Sequence, residues 1–252
     1  MQLEPGKKIY FISDFHLGSP GFDASLQREK KVVRFLDTIQ ADAAAIFIVG
    51  DLFDFWYEYK TVVPKGYVRI LGKIAALTDA GIPVYFFVGN HDMWMDGYFE
   101  KELNVPVYFE PKAFTFNGKQ LLVGHGDGLG PGDHGYKFIK KIFRNRFCQW
   151  LFGVLHPNWG IGLANYFSRR SRAMTGHSDE KFLGEENEWL ISYCKEVLQT
   201  QHYDYFIFGH RHLPIDFALP QNSRYINLGD WIKYDSYGEF DGETMHLKYY
   251  KE

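Results

Sequence analysis

The sequence predicts an α/β (α+β) protein with a helical segment inserted in its middle. Three observations carry that prediction. Through the first 130 residues, short apolar runs alternate with stretches whose apolar residues recur at helical spacing. After residue 200 only short strand-like runs with intervening turn residues remain. Between these parts, roughly residues 130–200, the pattern is helical.

Taken in order, residues 8–13 (KIYFIS) form an apolar run that reads as a buried strand. Residues 25–40 place Leu26, Val33, Leu36 and Ile39 on one stripe and read as a helix. A second strand is expected at 45–49 (AIFIV), a helix at 66–79 and a third strand at 83–88 (PVYFFV). Asn117-Gly118 lies between AFTF and KQLLV, and both residue types accept the positive φ of a tight hairpin turn. In 136–155, Ile139, Ile142, Phe143, Phe147, Trp150 and Val154 share one helical face, while Lys137, Lys140, Lys141 and Arg144 share another. This pattern reads either as a core-packed helix with a solvated basic face, or as a lid whose apolar side meets acyl chains or a bilayer. Residues 156–162 (HPNWGIG) read as a loop and 179–200 as a second helix. DYFIF, RYINL and ETMHLKYY then close the chain as strands. The expected organisation is a core of 1–129 and 201–252, with 130–200 as an inserted helical lid.

Composition narrows the function classes. With 252 residues and 46% hydrophobic content the chain can bury a core, which excludes intrinsic disorder. A net charge of −3 argues against a general nucleic-acid binder. No apolar run approaches the roughly 18 residues of a membrane span. The first residues lack an apolar signal core, and Cys148 and Cys194 are the only cysteines, so a reducing cytoplasm is the expected location. No protein partner is inferable. The charge is unevenly spread: 134–178 contains no Asp or Glu but holds Lys137, Lys140, Lys141, Arg144, Arg146, Arg169, Arg170 and Arg172. That stretch carries +8 and the rest −11, which points to an anionic partner for one region only. The 18% aromatic content exceeds what a core alone requires.

The chemistry lies at strand ends. The blocks are Ser13-Asp14-Phe15-His16, Gly50-Asp51-Leu52-Phe53-Asp54, Gly89-Asn90-His91-Asp92, Gly124-His125-Gly126-Asp127 and Gly209-His210-Arg211-His212. Alone, any one of them is as readily a turn or a cap. Five in order, each after a strand, indicate a site at the sheet's carboxyl edge. Carboxylate, amide oxygen and imidazole suit Mn, Fe or Zn, and the lack of thiolate excludes a Cys-rich zinc site. Asp14, His16, Asp51, Asn90, His125, His210 and His212 are more ligands than one ion needs. A carboxylate shared by two ions about 3.5–4 Å apart would use them all, and Asp51 is the natural bridge. Two divalent ions facing Asp14 and Asp51 keep a net positive charge, which suits a phosphate substrate.

These blocks resemble the calcineurin-like binuclear metallophosphoesterases. The resemblance implies a β-sandwich flanked by helices. It also implies Asp14, His16, Asp51 and His212 on one metal, and Asp51, Asn90, His125 and His210 on the other. Residues 126–152, with FISDFHLG and GDLFDFW, are similar to the UDP-2,3-diacylglucosamine diphosphatases of lipid A synthesis. That likeness implies Mn as the usual metal, with Zn or Fe as alternatives, and hydrolysis of the substrate's pyrophosphate to UMP and 2,3-diacylglucosamine 1-phosphate. It also implies peripheral association with an anionic membrane surface, on the cytoplasmic face of the inner membrane. His91 stands where those enzymes carry Arg, and Arg211 is a candidate to compensate.

The expected reaction is attack by a metal-activated water on the phosphorus of the uridine side. His91 and Asp51 are the candidate catalytic residues, His91 steadying the transition state or protonating the leaving oxygen, with Asp92 a candidate orienter. Asn90, His91, Asp133, Tyr136, Arg169, Arg172, Lys181 and His210 are the candidate substrate contacts. Asp54 and Asp127 are candidate partners of the ligands. Two other readings remain open: a metallophosphoesterase acting on a soluble nucleotide or phosphomonoester, and a non-catalytic scaffold on the same fold.

Overall fold

The computed structural model describes residues 2–132, 134–175, 181–182 and 184–251, excluding the side chains of 165 and 169–175. In chain order the elements are β1 (Lys8–Ile12), α1 (Phe22–Ile39), β2 (Ala43–Val49), α2 (Val68–Asp79), β3 (Val84–Phe87), α3 (Tyr98–Glu102), β4 (Val107–Tyr108), β5 (Lys112–Phe116) and β6 (Lys119–Val123). There follow α4 (His134–Phe143), α5 (Arg146–Gly153), α6 (Pro157–Thr175), α7 (Trp189–Leu198), β7 (Tyr205–Phe208), β8 (Pro214–Ala218), β9 (Arg224–Leu228), β10 (Ser236–Phe240) and β11 (Met245–Tyr249).

Runs that are apolar at every position must be covered on both faces, and β1 to β3 are. Alternate residues go opposite ways. Tyr10, Ile12, Ile46, Ile48 and Phe86 join the cluster under α1 and α2. Ile9, Phe11, Ala45, Phe47 and Phe87 join a second cluster between two sheets. The first sheet has the order β11-β10-β1-β2-β3-β4 and the second β5-β6-β7-β9-β8. β1, β2 and β3 are parallel, with Phe11 opposite Phe47 and Phe47 opposite Tyr85. β6, β7 and β9 are parallel in the other sheet. A third cluster packs Leu190, Ile191, Cys194 and Leu198 of α7 on Phe206, Phe208 and Tyr225. The result is a helix–sheet–sheet–helix sandwich that gathers the strand-end loops at one edge. Trp56 and Trp231 are fully buried. Burying an aromatic of this size contributes about 2–3 kcal/mol.

The segment α4 to α6 obeys a different rule. Phe138, Trp150 and Trp159 are 65%, 62% and 75% exposed, and neither α4 nor α5 buries a residue. Three of its cations turn inward instead. Lys140 pairs with Asp127 at 2.6 Å, Lys137 donates to the Gly130 carbonyl at 2.5 Å, and Arg144 pairs with Glu110. The core-packed helix with a solvated basic face is therefore reversed. The neighbouring surface offers carboxylates and carbonyls, which must be paired once covered. The segment touches the body through Phe152, which packs on Phe55, Tyr57 and Trp94, and through the Trp94 indole donating to Phe143 O at 2.7 Å.

Several boundaries differ from the sequence expectation. The helix expected over 136–155 breaks where the Asn145 side chain accepts from Phe147 N at 2.9 Å and starts α5. Residues 157–162 are not a loop but the first turns of α6. Pro157 is preorganised for a first helical position, and Gly160 fits where a Cβ would press on Tyr59 and Phe152. The last helix begins only at Trp189, because Gly184 adopts φ +88° and the chain turns there. The two-residue β4 and the strand β8 lie at sheet edges and were not among the expected strands. No helix among the described residues is long and apolar enough to cross a membrane.

Candidate metal centre

The loops after β1, β2 and β7 are bent into conformations that side chains resist. Asp14, His16, Asp51, His210 and His212 have φ of 57°, 44°, 52°, 70° and 50°. Such backbone costs of order 1–3 kcal/mol per residue and persists only where neighbours over-determine it. Here they do. Phe15 N and His16 N donate to Asp51 O at 2.9 and 3.0 Å, and His210 N donates to Asp14 Oδ2 at 3.0 Å. Buried Arg28 of α1 donates to the carbonyls of Phe15, His16 and Ser19 at 2.9–3.0 Å. Two glycines permit the close approach. A Cβ on Gly89 would land on the Asp51 carboxylate, and one on Gly209 would land on Ser13 and Asp14.

The seven candidate ligands converge. Ligand atoms of Asp14, His16, Asp51 and His212 all lie within 4.8 Å of one another. His16 Nε2 is 3.1 Å from His212 Nε2 and 3.7 Å from both Asp14 Oδ1 and Asp51 Oδ2. On the other side, Asn90 Oδ1 is 3.2 Å from His125 Nε2 and 3.0 Å from His210 Nδ1. Asp51 Oδ2 joins the two groups, lying 3.3 Å from His125 Nε2. Donors bound at about 2.1 Å to one cation are themselves about 3.0–3.5 Å apart, close to these separations. Asp14 Oδ1 and Asp51 Oδ2 are buried acceptors without a hydrogen bond. A cation would satisfy both, so the donors fit a metal centre.

The electrostatics agree. Burial alone would push Asp14 upward, but His212, His16 and His125 hold its carboxyl down at about 2. Asp51 is likewise held well below the usual carboxylate range against its burial, by His125, His91 and His16. Burial would lower His125 and His16, yet the carboxylates carry them up to about 10 and 9. His210 goes the other way, down to about 4, because it is buried beside the charged His125. The site therefore gathers positive charge around two buried carboxylates, the service that cations perform in a metal centre.

The remaining candidates are placed as follows. His91 sits beside the cluster, its ring edge-on to His16 at 4.7 Å. Its orienter is not Asp92. That carboxylate accepts from Leu52 N at 2.8 Å and Gly89 N at 2.7 Å, and so ties two ligand loops together. Asp54 faces His16 Nδ1 at 3.6 Å and His91 Nδ1 at 3.7 Å. Tyr136 lies 6.4 Å ring-to-ring from His210 and donates to Asp127 at 2.6 Å. Burial and the Asp127 charge push its phenol up, so it acts as a neutral donor. Lys181 is exposed. Asp133 and the side chains of Arg169 and Arg172 lie outside the described residues. Arg211 does not stand in for the missing Arg: it forms a two-pronged pair with buried Glu188 at 2.9 and 3.0 Å. Sequence reasoning missed Asp230, 3.5 Å from His212 Nδ1, although Gly229-Asp230 after β9 repeats the strand-end signal. No local motif marks Ser168 of α6, whose Oγ lies 3.2 Å from Asp54 Oδ2 and 3.3 Å from His91 Nδ1.

Comparison with known proteins places this architecture. The calcineurin-like phosphoesterase family matches residues 7–214. A Porphyromonas gingivalis protein named UDP-2,3-diacylglucosamine hydrolase is 40% identical over 255 aligned positions, covering 96% of this chain and 97% of its own. An Aeromonas salmonicida protein of the same name is 31% identical, with 90% and 87% covered. Among solved structures, a dimetal phosphatase from Danio rerio shares the fold at a TM-score of 0.50 and 14% identity, covering 98% of this chain and 96% of its own. The chain belongs to the calcineurin-like phosphoesterases.

Proposed function

We propose that the chain hydrolyses the pyrophosphate bond of UDP-2,3-diacylglucosamine, releasing UMP and 2,3-diacylglucosamine 1-phosphate for lipid A synthesis. The observation that carries this reading is the joining of a seven-donor cluster to helices that hold cations inward and aromatics outward. The names of the relatives from Porphyromonas gingivalis and Aeromonas salmonicida support it.

On this reading Asp14, His16, Asp51 and His212 hold one divalent cation, and Asp51, Asn90, His125 and His210 hold a second. Two Mn ions there would supply Lewis acidity and a water acidic enough to ionise near neutral pH. Asp51 bridges. His125 Nδ1 donates to Val49 O at 2.9 Å, which keeps its Nε2 free to ligate. His91 Nδ1 donates to Asp54 O at 3.0 Å, so Nε2 is the nitrogen left for substrate: a protonated ring would donate from Nε2 to a phosphoryl oxygen or give that proton to the leaving oxygen, and keep the hydrogen on Nδ1. Asp133, Tyr136, Arg169, Arg172 and Lys181 contact the headgroup of the substrate. Residues 130–200 act as a lid whose apolar face receives acyl chains and rests on the anionic cytoplasmic face of the inner membrane.

The test is hydrolysis of UDP-2,3-diacylglucosamine with Mn in 18O water, beside dinucleotide polyphosphates and p-nitrophenyl phosphate. The expected result is preference for the lipid-linked substrate, with the label in UMP. Preference for the soluble compounds overturns the substrate assignment.

A further inference from the structure

His91 poses a problem that an arginine would not. A guanidinium keeps its charge and all five N–H donors at any ordinary pH, whereas an imidazole acts only with a defined protonation state, tautomer and ring angle. The body supplies part of that definition. The Asp54 carbonyl, 3.0 Å from His91 Nδ1, can only accept, so Nδ1 bears the hydrogen. The ring also stands at 88° to His16.

The rest comes from another part of the fold. Ser168 lies on α6, and its Oγ is 3.2 Å from Asp54 Oδ2 and 3.3 Å from His91 Nδ1. The Asp54 carboxylate is 4% exposed and, when ionised, only accepts. The hydroxyl therefore gives its hydrogen to Asp54 and turns a lone pair toward His91 Nδ1–H. One direction of hydrogen bonding runs from His91 through Ser168 to Asp54, and the Nδ1–H is shared with the Asp54 carbonyl. Asp54, His91 and His16 all come from loops of the two-sheet body. Ser168 is the member of this group contributed by the helical segment.

We propose that Ser168 is a positioning residue, whose hydroxyl locks the His91 ring only while α6 rests against the body, so that seating of the helical segment completes the reactive arrangement. The proposal rests on the reading that His91 acts on the phosphoryl group. It concerns alignment, not substrate affinity. A side chain that merely clasped the segment would change capture of a lipid-linked substrate and leave a small diester untouched. A side chain that aligns His91 must affect both.

The test uses the Mn-loaded full chain with bis(p-nitrophenyl) phosphate and with UDP-2,3-diacylglucosamine. Ser168→Ala should lower kcat about tenfold on both, with KM for the small diester within about twofold of the original. Ser168→Thr keeps the hydroxyl and should restore kcat to within about twofold. His91→Ala combined with Ser168→Ala should be no slower than His91→Ala alone, because the two act as one unit. In Zn-loaded protein, imidazole 15N spectra should show one sharp Nδ1–H environment for His91, and exchange broadening of that resonance in Ser168→Ala as the ring loses its fixed angle. An unchanged kcat in Ser168→Ala, an effect confined to KM for the lipid-linked substrate, additive losses, or an unbroadened His91 resonance in Ser168→Ala overturns the proposal. Turnover of the diester without turnover of UDP-2,3-diacylglucosamine refutes the substrate assignment alone. Ser168 is then judged on the diester and the 15N spectrum.

Discussion

In the two-sheet body, Phe47 is fully buried and stacks on Phe11 at 4.8 Å, and the cations Lys8 and Lys248 pair with Glu239 at the sheet's rim. In α4 to α6 the sides are exchanged: Phe147 and Trp150 stack on each other in solvent while Lys140 reaches inward to Asp127. The same residue types serve opposite sides because their neighbours differ. A sheet face offers apolar surface and takes aromatics. The rim of the centre offers buried carboxylates and carbonyls, and takes ammonium and guanidinium groups. An amphipathic pattern establishes that a helix has two faces; the chemistry of the adjoining surface decides which one is covered.

The contrast can be tested from its strongest side down. Phe47→Ala removes a ring packed between the sheets and should destabilise the body by about 3–5 kcal/mol in urea unfolding. Asp51→Asn leaves the packing intact, yet should lower diester turnover about a hundredfold or more and reduce metal per chain in elemental analysis. Retention of two metals with full turnover would refute the bridging role. Lys140→Ala removes the cation beside the buried Asp127 carboxylate, which keeps the Tyr136 hydroxyl, and should cost about 1–2 kcal/mol, read as faster hydrogen exchange in α4. A solvated basic face would show no such change. Phe147→Ser with Trp150→Ser should shift stability by no more than about 0.5 kcal/mol, since both rings are exposed. The same pair should abolish flotation with anionic liposomes at low salt.

The smallest effect is at the turn from β10 to β11. Asp241 accepts from Glu243 N at 2.9 Å and Thr244 N at 2.8 Å, and with His246 these hold its carboxyl at about 2. Its folded value lies below its unfolded one. Its contribution is therefore present above the ordinary carboxylate range and lost as pH falls toward about 2. The group is largely in water, so Asp241→Asn should cost well under about 1 kcal/mol at neutral pH and progressively less as pH falls through about 2.

What could be read from the chain was local. The apolar runs at 8–13, 45–49 and 83–88 could only be strands covered on both faces, and the polar blocks that end them could only fall at the edge where those strands stop. Each depends on a few consecutive residues and the two-residue period of a strand. The glycines of Gly89-Asn90 and Gly209-His210 were part of the same local signal, since they admit the neighbouring loop.

What the sequence left open was set across long separations. Arg211 pairs with Glu188, 23 residues away, and Ser168 meets Asp54 across 114 residues. Lys140 turns inward because a loop ending in Asp127 lies beneath α4, and α6 begins at Pro157 because Gly160 fits against Tyr59 and Phe152. Periodicity and turn chemistry act over a few residues, whereas the partner of a polar side chain is chosen by whichever surface folding brings against it. The chain alone therefore determined the strands and the donor blocks at their ends, and tertiary packing decided which way the helices faced and which groups meet His91.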